Sequence, residues 1–221
     1  MRGMILAAGR GQRMGVLTEN TPKPLLSVAG RPLIEYSIMA LKNAGIHDIV
    51  MNVSYLRDQI IETVGDGSRY GVSIHYSIEP EALETGGGVL QALPFFDNKP
   101  FIVISSDIIT DFPLKNLPVL KDNLAHIVLV DNPSYHTTGD FHLEQQRVQL
   151  TGSPTFTFAN IGVYHPDLFI GYQAGKFRLG DVLKKAIAQQ QVTGEYFKGL
   201  WHNMGRPEDL ALGTTHIHSL T

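Results

Sequence analysis

No cysteine occurs among the 221 residues, which removes disulfides, thiolate nucleophiles and cysteine-held metals together. No apolar run is long enough to span a bilayer. The opening Met1-Arg2-Gly3-Met4-Ile5-Leu6 passes into glycine-rich sequence too soon for a secretory signal, so a cytoplasmic protein is expected. Charge of one sign is lacking as well: 18 basic against 21 acidic residues leave −3, and no overall field draws in nucleic acid or anionic lipid. Without a basic stripe a nucleic-acid partner is not expected, and an anionic substrate has to be held by a few placed cations. There is no G-x-S-x-G nucleophile elbow and no metal-spaced histidine pair. His216 and His218 are alternate residues of an expected helix, so they point apart, as ordinary surface histidines do.

What is present is an ordinary globular composition, 43% hydrophobic and 18% charged, enough to bury a sizeable core. Continuous or alternating apolar stretches at 4–8, 49–53, 72–77 and 101–105 read as strands. Between the first two, residues 31–44 read as a helix: Pro32 suits its first turn, Ile34, Ile38 and Leu41 share a face, and Gly45 stops it. Shorter helices are expected at 55–64 and 86–93. This β-α-β-α order points to an α/β fold, a mostly parallel sheet with helices on both faces. The second half is more mixed, with strands at 127–130 and 156–164, a hairpin at 140–150, and helices at 179–190 and 207–220. No repeat or linker interrupts it, and residues 1–221 read as a single domain. No oligomeric state is legible.

The first strand runs into Gly9-Arg10-Gly11-Gln12-Arg13-Met14-Gly15. Glycines after a strand let backbone N–H groups approach phosphate oxygens, because no Cβ intervenes. The spacing is neither a P-loop, which ends in Gly-Lys-Ser/Thr, nor a dinucleotide fingerprint, since the third glycine comes one residue late. Alone it would suit a tight turn at a sheet edge. Lys23, however, lies between Pro22 and Pro24, which bias the backbone toward a stiff, extended form and limit where the ammonium can point. With Arg13 it forms a potential polyphosphate clamp. Asp107 follows the 101–105 strand at the carboxyl end, where open α/β sheets bind ligands; it suits Mg²⁺, or else a turn or N-cap.

Leu6-Ala7-Ala8-Gly9-x-Gly11-x-Arg13-Met14 followed by Pro22-Lys23-Pro24-Leu25 resembles the signature of the sugar-1-phosphate nucleotidylyltransferases. The resemblance extends through Gly30-x-Pro32-Leu33-Ile34, Glu84-Thr85-Gly86-Gly87-Gly88, Ser106-Asp107 and Trp201-x-x-x-Gly205, covering nearly the whole chain. It implies a Rossmann-like α/β nucleotidyltransferase fold, a nucleoside triphosphate and a sugar 1-phosphate as substrates, and Mg²⁺ as cofactor. Arg13, Lys23 and Asp107 become the catalytic group. Leu6, Ala7, Ala8, Gly9, Gly11, Gln12, Arg13, Lys23, Glu84, Thr85 and Gly86 become the nucleotide site, with the base met mainly by backbone groups. Glu84 has a solvated acid, and Gly86 to Gly88 a plain helix-start turn, as structural alternatives.

The family usually places a second metal-binding aspartate in Trp-x-Asp-x-Gly, and here that position is Asn203, whose amide oxygen can still coordinate but brings no charge. Within the family the chain is most similar to bacterial N-acetylmuramate 1-phosphate uridylyltransferases of cell-wall sugar recycling, through Gly65-Asp66-Gly67-Ser68-Arg69, Leu129-Val130-Asp131-Asn132-Pro133 and Gly139-Asp140-Phe141. That implies UTP and N-acetylmuramate 1-phosphate. A mannose-1-phosphate guanylyltransferase and a non-catalytic nucleotide-sugar-binding regulator are the alternatives. Ser105, Asp140 and Asn160 are the expected sugar contacts, with a hairpin turn for Asp140 and a satisfied strand amide for Asn160 as equal alternatives. A lactyl carboxylate would need a cation; Arg178 is a candidate, or a plain surface arginine.

Overall fold

A computed structural model describes residues 1–219, without the side chains of residues 216, 218 and 219. The order of elements begins β1 (Arg2–Leu6), β2 (Ser27–Val28), β3 (Arg31–Pro32), α1 (Leu33–Asn43), β4 (Asp48–Val53), α2 (Arg57–Val64), β5 (Ser73–Ile78), α3 (Glu84–Ala92), β6 (Phe101–Ser105) and β7 (Ile108–Thr110). It continues with β8 (Ala125–Val130), β9 (Phe141–Glu144), β10 (Arg147–Gln149), β11 (Thr155–Tyr164), α4 (Leu179–Ala188), β12 (Val192–Tyr196), β13 (Trp201–Asn203) and α5 (Pro207–Ser219). Leu220, expected in the last helix, and the His216 and His218 side chains lie outside the described residues. No described helix is long and apolar enough to cross a membrane.

Nine strands form one sheet in the order β5-β4-β1-β6-β11-β8-β12-β10-β9. The first four pair in parallel, as the β-α-β-α pattern requires. Beyond β6 the expectation of a mostly parallel sheet fails: β11 runs antiparallel to both β6 and β8, and β8–β12 is the parallel pair in that half. The reason is connection length. Parallel neighbours need a crossover, usually helical, and no α-helix lies between β6 and β11; the chain returns through the β9–β10 hairpin instead.

Strand residues alternate between two cores, as a two-residue period demands. Ile5, Ile49 and Ile104 pack with Ile34, Ile38 and Leu41 of α1 and with Ile60 and Val64 of α2. Met4, Val50 and Val103 pack with Val89 of α3 and with Leu179, Val182 and Leu183 of α4. A third, smaller cluster joins Met14, Leu26, Val28, Leu33, Ile109 and Met204. Arg31 and Pro32, read from sequence as helix, instead form the two-residue hairpin β2–β3, and α1 starts at Leu33 with Pro32 as its N-cap.

Candidate active site

β1, β4 and β6 end on the same edge of the sheet because they are parallel, and a cavity of about 490 Å³ opens there. Leu6, Ala8, Gly9, Arg10, Gly11, Gln12 and Arg13 line it from the loop after β1. Lys23, Asn52, Glu84, Thr85, Ser105, Asp107 and Gly205 also face it. The expected catalytic residues Arg13, Lys23 and Asp107 therefore meet in one place.

Local structure explains how. Gly11 sits at φ 69°, and a Cβ there would fall 2.8 Å from Cβ of Lys23 and 3.1 Å from Cγ2 of Thr18, so only glycine lets the loop and the Lys23 segment lie this close. The Thr18 hydroxyl donates to the Gly11 carbonyl at 3.0 Å. The proline-flanked lysine is not extended. Pro22 is, at ψ 141°, but Lys23-Pro24-Leu25 then closes a short 3₁₀ turn, with the Leu25 N–H donating to the Pro22 carbonyl at 2.8 Å. The turn carries the lysine side chain inward to pair with a carboxylate oxygen of Asp107. Met14 and Met204, both buried, pack in the third core. Their chain neighbours Arg13 and Gly205 are thereby brought together, the Arg13 guanidinium lying 3.6 Å from where a Gly205 Cβ would stand.

Asn203 does not line the cavity, yet its backbone runs beside that of Asp107. β13 pairs antiparallel with β7, Asn203 opposite Ile108, and the Met204 N–H donates to the Asp107 carbonyl at 2.8 Å. Its side-chain oxygen is buried and, among the described residues, has no hydrogen-bond partner. A buried amide oxygen without a partner, on a strand whose backbone adjoins Asp107, is of the chemical type that a hard cation such as Mg²⁺ takes. No three His, Asp or Glu side chains converge among the described residues, so such an ion would complete its shell with phosphate oxygens and water.

The rim on the β4 side is held by a network the sequence did not reveal. The Ala7 N–H donates to Oδ1 of Asn52 at 2.9 Å, Nδ2 of Asn52 donates to Oε1 of Glu79 at 2.7 Å, and the Leu83 N–H donates to Oε2 of Glu79 at 2.8 Å. Glu79 is fully buried, and burial pushes its pKa up against the two hydrogen bonds that lower it. Ala7 is thus occupied in holding the rim and is not in the cavity wall. Gly86 is also absent from the wall. Its N–H and that of Gly87 both donate to the Phe177 carbonyl, at 2.9 and 3.1 Å, so neither is left for a base edge. The three glycines of α3 serve close packing: position 86 lies against the Phe177 ring, 87 against the Gly175 carbonyl, and 88 against Asn52 and Glu79.

Of the sugar candidates, Ser105 lines the cavity, with its carbonyl held by the Ser37 hydroxyl at 3.0 Å. Asp140 and Asn160 do not. Both carboxylate oxygens of Asp140 are engaged, one by the Phe158 N–H at 2.8 Å and one by His136 at 3.1 Å. Asn160 sits at φ 57° in a bulge of β11, just beyond the Ile161–Ile104 pair and so beside Ser105. The Trp201 indole N–H donates to the neighbouring Ala159 carbonyl at 3.0 Å. A non-glycine residue held at positive φ in a bulge is the kind of backbone feature that gathers at functional sites. Arg178 is exposed, 3.7 Å from Glu84, and outside the wall.

Residues 2–135 match a family model described as nucleotidyl transferase. The N-acetylmuramate alpha-1-phosphate uridylyltransferase of Neisseria meningitidis serogroup B is 44% identical over 93% of this chain and 93% of its own length. The mannose-1-phosphate guanyltransferase of Saccharomyces cerevisiae is 31% identical over all of this chain and 66% of itself. Among solved structures, the inositol-1-phosphate CTP transferase from T. maritima superposes with a TM-score of 0.80 at 17% identity, covering 96% of this chain and 94% of that one. HddC from Yersinia pseudotuberculosis does so with 0.79 at 23% identity, covering 98% and 99%. These two likenesses concern the fold, which is that of the α/β nucleotidyltransferases.

Proposed function

This chain belongs to the nucleotidyl transferase family, and from that membership we propose that it transfers the uridylyl group of UTP to N-acetylmuramate 1-phosphate. The products are the UDP-sugar and pyrophosphate. The observation that carries the reading is the meeting of Arg13, Lys23 and Asp107 in one cavity wall. The similarity to a uridylyltransferase at 44%, against 31% to a guanyltransferase of which the chain spans 66%, favours uridine and muramate over guanosine and mannose. A non-catalytic binder would have no need of the complete clamp. Residues 1–221 act as one nucleotidyltransferase domain, a cytoplasmic enzyme of cell-wall sugar recycling.

The chemistry follows from the charges. An oxygen of the sugar phosphate attacks the α-phosphorus in line, and the bond from that phosphorus to the β-phosphate oxygen breaks. The attacking phosphate has its second pKa at about 6 and is already ionised at neutral pH, so no residue has to remove a proton. Positioning and charge neutralisation remain as the protein's work. Arg13 takes phosphate oxygens on the Gly205 side. Lys23 exchanges its pairing with Asp107 for the reacting phosphate, which frees the carboxylate. Asp107 and Asn203 would then hold Mg²⁺, whose contribution when bound is to neutralise the triphosphate. Ser105 and Asn160, adjacent on β6 and β11, orient the acceptor sugar.

The test is pyrophosphate release with UTP or GTP against the 1-phosphates of N-acetylmuramate, mannose and glucose. Turnover is expected with UTP and the muramate compound. Preference for GTP with mannose 1-phosphate would establish the guanylyltransferase alternative, and silence with every pair would leave only a binding role.

A further inference from the structure

Three cations, Arg10, Arg13 and Lys23, line the cavity. Lys23 is paired with Asp107. Among the described residues neither Arg10 nor Arg13 has a carboxylate partner, so the cavity keeps two uncompensated guanidinium charges. The proposed transfer uses Arg13 and gives Arg10 no role. Its guanidinium carbon lies 5.3 Å from the centroid of the Tyr55 ring, within cation–π range. Tyr55 is a fixed platform: its hydroxyl donates to the Glu19 carbonyl at 2.8 Å, and Gln59, one turn on, donates to the Asn20 carbonyl at 3.0 Å. An aromatic face orients a guanidinium without neutralising it, which leaves the charge available to an anion.

Sheet order tells which anion. β4 and β6 flank β1 on opposite sides. The acceptor groups Ser105 and Asn160 belong to β6 and to β11 beyond it. Tyr55 follows β4, so the Arg10–Tyr55 pair stands on the side away from the acceptor. In-line displacement places the leaving group opposite the attacking oxygen. We propose that Arg10, held on Tyr55, is a phosphate-positioning residue for the leaving end of the nucleotide, gripping the β- and γ-phosphates before transfer and pyrophosphate after it. The inference rests on the nucleotidyl-transfer reading above.

The test is direct binding by calorimetry of UTP, pyrophosphate and UMP, with Mg²⁺ present, to the wild-type protein and to Arg10→Ala, Arg10→Lys and Tyr55→Leu. Loss of one charge-assisted contact is expected to weaken UTP and pyrophosphate about tenfold or more in Arg10→Ala. UMP, which lacks the two outer phosphates, should bind as to wild type, and this separates a phosphate contact from a general loosening of the loop. Arg10→Lys should recover part of the loss, and Tyr55→Leu should show part of it. Wild-type affinity of Arg10→Ala for UTP and pyrophosphate, or an equal loss for UMP, overturns the inference while leaving the transferase reading intact. A wild-type protein that binds neither UTP nor pyrophosphate defeats both.

Discussion

Replacing Glu79 by glutamine is the most informative single change to the rim. Both carboxylate oxygens accept hydrogen bonds, one from the Asn52 amide and one from the Leu83 N–H. Asn52 cannot turn over to help, because its own oxygen accepts from the Ala7 N–H. A glutamine therefore has to set an NH₂ group against one of two donors. The loss is a hydrogen bond to a charged acceptor, about 1.5–3 kcal/mol, offset in part because the neutral amide escapes the burial penalty that raises the Glu79 pKa. A net loss of about 1 kcal/mol or more remains, and each kcal/mol lowers the melting temperature of a chain this size by roughly 2–4 °C.

The pH dependence carries its own sign. With the folded pKa above the ordinary value of 4.5, the folded state holds the proton more tightly than the unfolded one. The wild type thus loses stability as the pH rises from that value through the folded pKa, and Glu79→Gln should be flat by comparison in that window. Denaturant unfolding at a series of pH values measures both effects, and UTP affinity should fall alongside, since the network ties the end of β1 to the turn before α3. A variant as stable as wild type at neutral pH would show that the carboxylate is not needed as a double acceptor.

Two further substitutions probe other parts of the site. Gly88→Ala places a Cβ about 2.5 Å from Nδ2 of Asn52 and 2.6 Å from Oε1 of Glu79, so it should destabilise by about 1–3 kcal/mol and weaken UTP binding together, in thermal melts and titrations; an unaffected melting temperature would show that the network gives way freely. Asn203→Asp adds a second anion on the strand that adjoins Asp107 and should lower the Mg²⁺ concentration for half-maximal activity, whereas an unchanged or raised requirement would remove Asn203 from the metal site.

How much of this was legible in the sequence depended on whether the information was local. Arg13 and Asp107 come soon after β1 and β6, whose shared direction points to one edge, and Lys23 is marked out by the prolines on either side of it. Asn52 and Glu79 gave no such signal. They are polar residues in or after a strand, and only the β1–β4 register and the approach of α3 turn them into a connected network. The same is true of Gly86, whose N–H is taken by the carbonyl of Phe177, ninety-one residues later in the chain. In the second half the hairpin near 140–150 was legible, but the antiparallel placing of β11 between β6 and β8 was not, because strand patterns do not say which strands become neighbours. Met14 and Met204 carry no chemistry, yet their packing sets Arg13 beside Gly205. That contact is tertiary and has no trace in either segment alone.

The central claim is transfer at the α-phosphorus of UTP with Asp107 at the reacting phosphates. Phosphorus NMR of UTP with N-acetylmuramate 1-phosphate and Mg²⁺ tests it most directly, run with the wild type and with Asp107→Asn. The account requires one UDP-sugar and one pyrophosphate to appear for each UTP consumed by the wild type, and the rate to fall by orders of magnitude in the variant while the protein stays folded. Orthophosphate and UDP as products, or undiminished turnover by Asp107→Asn, would contradict it.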